Sequence, residues 1–249
     1  MNIAKYSASG NDFAIFHTFV EKDRSSLAKK ICDRFRGIGA DGLIVLLPFE
    51  GIDFKWQFYN SDGSEASMCG NGSRAAAHYA FSYGLAPSKM AFLTGAGVIN
   101  ATVEKDIVES ELTDPIIKEK SISEFGKNWW LIDTGVPHLI AFSDNLDEFS
   151  IDEAKKLRKI YDANINLAKI KDNKIYIRTF ERGVEDETLA CGTGMAAAFY
   201  RAFLEKKVLD EVKVCPKSKE ELVLSYKKDS LFLKGRVKKV FETFIEGVD

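Results

Sequence analysis

Residues 68–77 read MCGNGSRAAA and residues 190–198 read ACGTGMAAA, so one chain twice places a Cys-Gly-x-Gly turn ahead of an alanine-rich run. The two cysteines, Cys69 and Cys191, stand 122 positions apart in 249 residues. Around them the same order of elements recurs. In the first half, β-rich runs at Asn2–Tyr6 and Asp12–Val20 precede a helical pattern over Ser25–Phe35 and strand-like runs at Leu43–Phe49 and Ile52–Asn60. The Cys69 loop then opens a helix that Gly84 stops as a C-cap, and three more β-like runs follow, through about Leu112. In the second half, NWWLIDT and HLIAFS read as strands, and SIDEAKKLRKIY reads as a helix with Ser150 and Glu153 in a capping-box pattern. NINLAKI and KIYIRTFE are strands, and Cys191 opens the next helix. The cysteine repeat is thus one part of a whole-domain repeat.

This order predicts an α/β (α+β) fold of two pseudo-symmetric domains, 1–113 and 114–235, with a terminal strand of about 236–249 free to return to the first. After the glycines the two helices continue as Ala75, Ala76, Ala77, Tyr79, Ala80, Phe81 and as Met195, Ala196, Ala197, Ala198, Phe199, Ala202. Small or apolar residues on most sides belong to a helix wrapped by sheet. Each domain is expected to be a curved, mostly antiparallel sheet or barrel around a central helix, with both helix N-termini pointed at a shared cleft.

Charge is balanced, 35 Lys plus Arg against 37 Asp plus Glu, without long blocks of one sign, which argues against nucleic-acid or membrane partners and for a small substrate. The start, MNIAKYSASGNDF, lacks the layout of a secretory signal, and the expected location is cytoplasmic. Cys32, Cys69, Cys191 and Cys215 are too scattered for a disulfide framework and form no Cys-x-x-Cys pairs; with three histidines, no metal site is expected.

A helix N-terminus presents unpaired N–H groups and a partial positive charge, which favour a thiolate placed there. Gly70, Gly72, Gly192 and Gly194 let backbone approach a ligand, and the same N–H groups suit a carboxylate. A carboxylate held between two poised thiols is what inversion of a stereocentre needs. One sulfur removes the α-proton, the other delivers a proton to the opposite face, and the helix N-termini stabilise the developing charge.

SGNDF (Ser9–Phe13), GIGADG (Gly37–Gly42), NSDGSEASMCGNGSRAAA (Asn60–Ala77), VPH (Val136–His138) and ERGVEDETLACGTG (Glu181–Gly194) together resemble the diaminopimelate epimerase family. The resemblance implies a cofactor-independent isomerase that interconverts LL- and meso-2,6-diaminopimelate in lysine and cell-wall precursor synthesis. It also implies two similar α/β domains around a cleft and a cytoplasmic homodimer. By the same resemblance, Cys69 is the proton donor and Cys191 the acceptor in the LL-to-meso direction, and His138 and Glu181 support catalysis. Gly70, Asn71, Gly192 and Thr193 would hold the reacting carboxylate. Asn11, Asn60, Asn164, Glu181 and Arg182 would be substrate contacts, with Arg182 able to fork onto a carboxylate.

His138 is read as a loop residue between strands, Cys32 and Cys215 as structural. The chain departs from the family pattern at Val136, where Asn is common, at Ala8 and Ser9, and in GVEDETLA, which is one residue longer than usual. Gly37, Gly39 and Gly42 satisfy G-x-G-x-x-G, but a helix precedes them and a strand follows, the reverse of a dinucleotide site. Two other readings compete: a two-cysteine proline or hydroxyproline racemase, and a binding or redox-sensing protein whose thiols form a switchable disulfide.

Overall fold

The computed structural model describes residues 1–246, which contain 17 strands and four α-helices. They divide into two units, Met1–Glu111 with the chain from Gly235 onward, and Leu112–Lys234. In the first unit lie β1 (Asn2–Ala8), β2 (Asn11–His17), α1 (Ser25–Cys32), β3 (Gly42–Phe49), β4 (Ile52–Asn60), α2 (Gly70–Ser82), β5 (Lys89–Thr94), β6 (Gly97–Glu104) and β7 (Ile107–Glu111). The second holds β8 (Ile116–Glu124), β9 (Lys127–Asp133), β10 (Pro137–Phe142), α3 (Ile151–Tyr161), β11 (Asn164–Lys171), β12 (Lys174–Glu181), β13 (Asp186–Thr188), α4 (Gly192–Leu204), β14 (Glu211–Cys215), β15 (Leu222–Lys227) and most of β16 (Ser230–Arg236). The last strand, β17 (Lys238–Phe244), belongs to the first unit.

Within the first unit the strands pair in the order β17, β1, β2, β3, β4, β5, β6, β7, antiparallel except at β2–β3 and β4–β5. The second unit runs β8, β9, β10, β11, β12, β14, β15, β16, parallel only at β10–β11 and β12–β14, with β13 hairpinned onto β12. Every parallel pair is the one interrupted in sequence by a helix, because parallel neighbours need a long crossover whereas antiparallel neighbours need only a turn. The expected α/β class and mostly antiparallel sheets are what the chain adopts.

The helix inside each sheet is buried on all sides, as its composition requires. Gly70 through Ala77, together with Tyr79 and Ala80, are buried in α2, and Gly194 through Phe199 with Arg201 and Ala202 in α4. Strands close on these helices because alanine leaves room for them, and alternation in the strands supplies the wall: Ile99, Ala101 and Val103 of β6 point inward while their neighbours are exposed. Each helix carries one buried arginine. Arg201 donates to the Ile140 and Asn128 carbonyls, pairs with Glu205 at 2.9 Å, and lies over the Trp130 and Phe142 rings. A buried cation is tolerated when every face is so engaged.

Local signals hold in detail. Ser150 Oγ accepts the Glu153 N–H at 3.3 Å, and Gly84 follows the end of α2 at φ +67°, its N–H on Phe81 O. One boundary differs: the helix expected over Ser25–Phe35 ends at Cys32, because Asp33 turns extended and its carboxylate takes the N–H groups of Phe35 and Arg36. The Gly37–Gly42 stretch then covers the helix C-terminus. Gly37 and Gly39 donate to the carbonyls of Asp33 and Ile31, and a Cβ on Gly37 would lie 2.2 Å from Lys30 O. Those glycines serve close packing against acceptors. Among the described residues no helix is long and apolar enough to cross a membrane.

Candidate active site

Cys69 and Cys191 occupy the same structural place in their units. Each is the N-cap, in extended conformation, of a 13-residue helix. The first N–H groups of such a helix have no intrahelical partner, so Gly70 with Asn71 and Gly192 with Thr193 present donors beside the sulfur. The two sulfurs are nevertheless held differently. Cys69 Sγ accepts the Gly72 N–H at 3.4 Å, whereas Cys191 Sγ lies 3.5 Å from Thr193 Oγ1.

The variable residue of each Cys-Gly-x-Gly turn accounts for the difference. Asn71 is 2% exposed and turns into a polar chain within the first unit. Arg74 donates to Asn71 Oδ1 at 2.6 Å and to Ser9 Oγ at 2.7 Å, Asn71 Nδ2 donates to Asn11 Oδ1 at 2.8 Å, and Asn11 Nδ2 donates to Asp41 at 3.0 Å. With a cation at one end and a carboxylate at the other, both amides have a single workable orientation. Ser9 sits at φ +52°, and its hydroxyl on Arg74 compensates that strained backbone. Asn60, at the end of β4, stands apart from this chain and donates to Ser64 Oγ at 3.0 Å.

In the second unit Thr193 turns toward the sulfur, and its Oγ1 is 2.8 Å from His138 Nε2. His138 lies in β10, as the HLIAFS run predicts, and not in the preceding loop: it is the strand's second residue, paired with Ile132 and Asn164, because Pro137 is accommodated at the first position. It is fully buried, and Asn166 Nδ2 lies 3.1 Å from its Nδ1. Asn164 is also buried; its Oδ1 accepts the Arg182 N–H at 2.7 Å and its Nδ2 donates to Pro137 O at 3.3 Å. Arg182 itself binds Asp162 through one guanidinium nitrogen, at 2.9 Å to the carboxylate and 3.1 Å to the carbonyl. Glu181 ends β12 opposite Asp186, and the longer GVEDETLA segment is taken up by a turn in which Glu185 adopts φ +59° and donates its N–H to Glu181 O. Val136 contributes its carbonyl to the Thr134 N–H.

Burial pushes the His138 ring down to about 3, and the nearby Arg182 charge acts in the same direction. In the unfolded chain an imidazole titrates at about 6.5, so below that pH the unfolded state binds a proton that the fold refuses. The stability contribution is complete above the unfolded value and is lost as pH falls from there toward the folded value. Urea unfolding is expected to show the wild type losing about 2 kcal/mol more than His138→Gln between about pH 6.5 and 5. Equal losses in both proteins would contradict a neutral buried ring.

Asn166, Thr179, Arg74 and Asp41 join the site only through the fold. A signal existed for Asn166: in NINLA two asparagines alternate on one strand face, a residue type disfavoured in strands unless it is bonded there. The other cysteines behave as packing. Burial drives the Cys32 thiol up to about 12, and burial followed by the Glu221 charge raises Cys215.

In fold, the chain resembles a probable proline racemase from Agrobacterium radiobacter K84 with TM-score 0.78 at 13% identity, covering 99% of this chain and 93% of that one. A hydroxyproline epimerase from Agrobacterium vitis gives TM-score 0.73, also at 13% identity, covering 98% and 91%. These likenesses define the class: a mixed α/β chain with the fold of the proline racemase-like structures. Sequence narrows it. The family model described as diaminopimelate epimerase matches residues 3–117 and 130–240. The diaminopimelate epimerase of a Nitratiruptor species is 66% identical over 249 residues, 100% of both chains. That of Campylobacter jejuni subsp. jejuni is 56% identical over 243 residues, 97% of this chain and 98% of that one. The chain belongs to the diaminopimelate epimerase family and is an isomerase.

Proposed function

We propose that the protein interconverts LL- and meso-2,6-diaminopimelate by proton transfer between two cysteines, without pyridoxal phosphate or metal. The observation that carries this reading is the placement of Cys69 and Cys191 as N-caps of equivalent helices, each sulfur beside N–H donors that have no partner within the helix. From the LL isomer, the Cys191 thiolate takes the α-proton and becomes a thiol while the Cys69 thiol gives its proton to the opposite face and becomes a thiolate. The reverse direction exchanges the roles. This requires both sulfurs to meet one α-carbon, with the adjoining carboxylate held by Gly70, Asn71, Gly192 and Thr193 N–H groups, where helix N-termini oppose the charge that develops.

Asn11, Asn60, Asn164, Glu181 and Arg182 are proposed to recognise the remainder of the substrate, in keeping with the family motifs that contain them. By the same family likeness the protein would serve lysine and cell-wall precursor synthesis in the cytoplasm as a homodimer. The decisive experiment incubates reduced protein with LL-diaminopimelate in deuterated water and follows α-deuterium and chirality together; proline and hydroxyproline are run in parallel. Inversion of proline but not diaminopimelate would overturn the substrate assignment, and deuterium-free recovery of every amino acid would overturn the epimerase mechanism.

Arg182 offers a second check. Arg182→Lys keeps the charge but loses the planar fork, and kcat/KM for diaminopimelate is expected to fall about 10-fold or more, the scale of a hydrogen bond between charged groups. Unchanged kcat/KM would remove Arg182 from the substrate contacts.

A further inference from the structure

The second unit contains a hydrogen-bond chain that ends on a sulfur. Asn166 follows Asn164 by two residues on β11, so both side chains face the same side of the strand. Its amide orientation is fixed by its neighbours. Nδ2 faces the carbonyls of Leu139 and Asn164, each at 3.3 Å and able only to accept, while Oδ1 takes the Thr179 hydroxyl at 2.8 Å. The same Nδ2 stands 3.1 Å from His138 Nδ1. Of the three acceptors around its two hydrogens this is the nearest, and a donor there meets a lone pair, so in the neutral ring the hydrogen resides on Nε2. Nε2 in turn is 2.8 Å from Thr193 Oγ1, which is 3.5 Å from Cys191 Sγ. With Nε2–H donating to the hydroxyl oxygen, the hydroxyl's own hydrogen is left for the sulfur. Asn164 Nδ2 also lies 3.5 Å from Nε2, at the outer limit of a hydrogen bond, whereas the Thr193 hydroxyl oxygen at 2.8 Å can accept the Nε2 hydrogen.

The space is committed as firmly as the polarity. A Cβ on Gly194 would fall 2.4 Å from Asn166 Oδ1 and 3.2 Å from His138 Nδ1, so the amide and the ring fill the room beside the first turn of α4.

We propose that Asn166, held by Thr179, is a positioning residue that locks His138 as the Nε2–H tautomer and so turns the Thr193 hydroxyl into a donor to Cys191 Sγ. A donor aimed at the sulfur favours its anionic state, the one that accepts a proton from carbon. His138 then acts as a fixed neutral dipole and takes up no proton itself. The catalytic meaning rests on the proposed role of Cys191, but the hydrogen bond can be read without turnover.

Two measurements test it. Labelled-histidine ¹⁵N NMR has only three rings to distinguish, with His138→Gln identifying the relevant one. The His138 signals are expected to report Nε2–H between about pH 8 and 5.5, where an ordinary imidazole would titrate, and Asn166→Asp is expected to move the proton to Nδ1. The second measurement is iodoacetamide alkylation at neutral pH, followed by peptide mass spectrometry with Cys69 of the same molecule as internal reference. Thr193→Val should lower the Cys191-to-Cys69 rate ratio about tenfold, the scale of one hydrogen bond to a charged group, and Thr193→Ser should restore it. An Nδ1–H or charged His138 in the wild type, or an unchanged ratio in Thr193→Val, overturns the proposal. If the ratio falls as expected while Cys191→Ala still epimerises diaminopimelate, the relay stands and the catalytic role of Cys191 fails.

Discussion

Cys69→Ala and Cys191→Ala are each expected to lower epimerisation by about 10²–10⁴-fold, the range for removal of a general acid or base. Inversion uses one group on each face, so loss of either interrupts the same event, and the double variant should be little worse than the single ones. Cys32→Ala is the control: its thiol is buried against α1 packing with its pKa pushed up to about 12, so it should change stability and leave turnover in place. Turnover is measured as loss of the LL isomer by chiral chromatography. A near-normal rate in either Cys69→Ala or Cys191→Ala would show that the thiols are not the acid–base pair.

Gly194→Ala is expected to damage stability and activity together. The added methyl would meet Asn166 Oδ1 at 2.4 Å, and the amide cannot retreat without breaking its bonds to Thr179, Leu139 and His138. Overpacking of this kind costs about 3 kcal/mol when the neighbours are themselves fixed. Epimerase activity should fall with it, because relief requires either α4 or His138 to move beside Cys191. Urea unfolding followed by fluorescence, with activity measured on the folded fraction, reads both. A variant of wild-type stability would mean that the His138–Asn166 arrangement is more yielding than its hydrogen bonds indicate.

The repeated elements were legible because each rests on local chemistry. Ser150 caps α3, Gly84 closes α2, and alanine runs in α2 and α4 leave no polar face for solvent. What escaped the sequence depends on groups far apart along the chain. Asp41, Asn11, Asn71 and Arg74 form one chain of contacts although 30 and 60 residues separate bonded partners. His138 and Asn166 meet because β10 and β11 run parallel across the α3 crossover, which periodicity cannot register. The early end of α1 reflects Asp33 competing for backbone N–H groups, an effect a helical pattern of apolar residues does not record.

The pairing of β17 with β1 bears on the order in which a nascent chain gains structure. Asn2 is aligned with Phe244, so β1 must wait for a strand made after the whole second unit before that edge of its sheet is satisfied. Leu112–Lys234 is continuous and is synthesised between β1 and β17. At about 5–20 residues per second the waiting period is of the order of ten seconds or more, during which β1 offers an unpaired edge. Vectorial synthesis therefore leaves the first unit open at this edge while the second is being made, and makes β1 the stretch on which a chaperone would act.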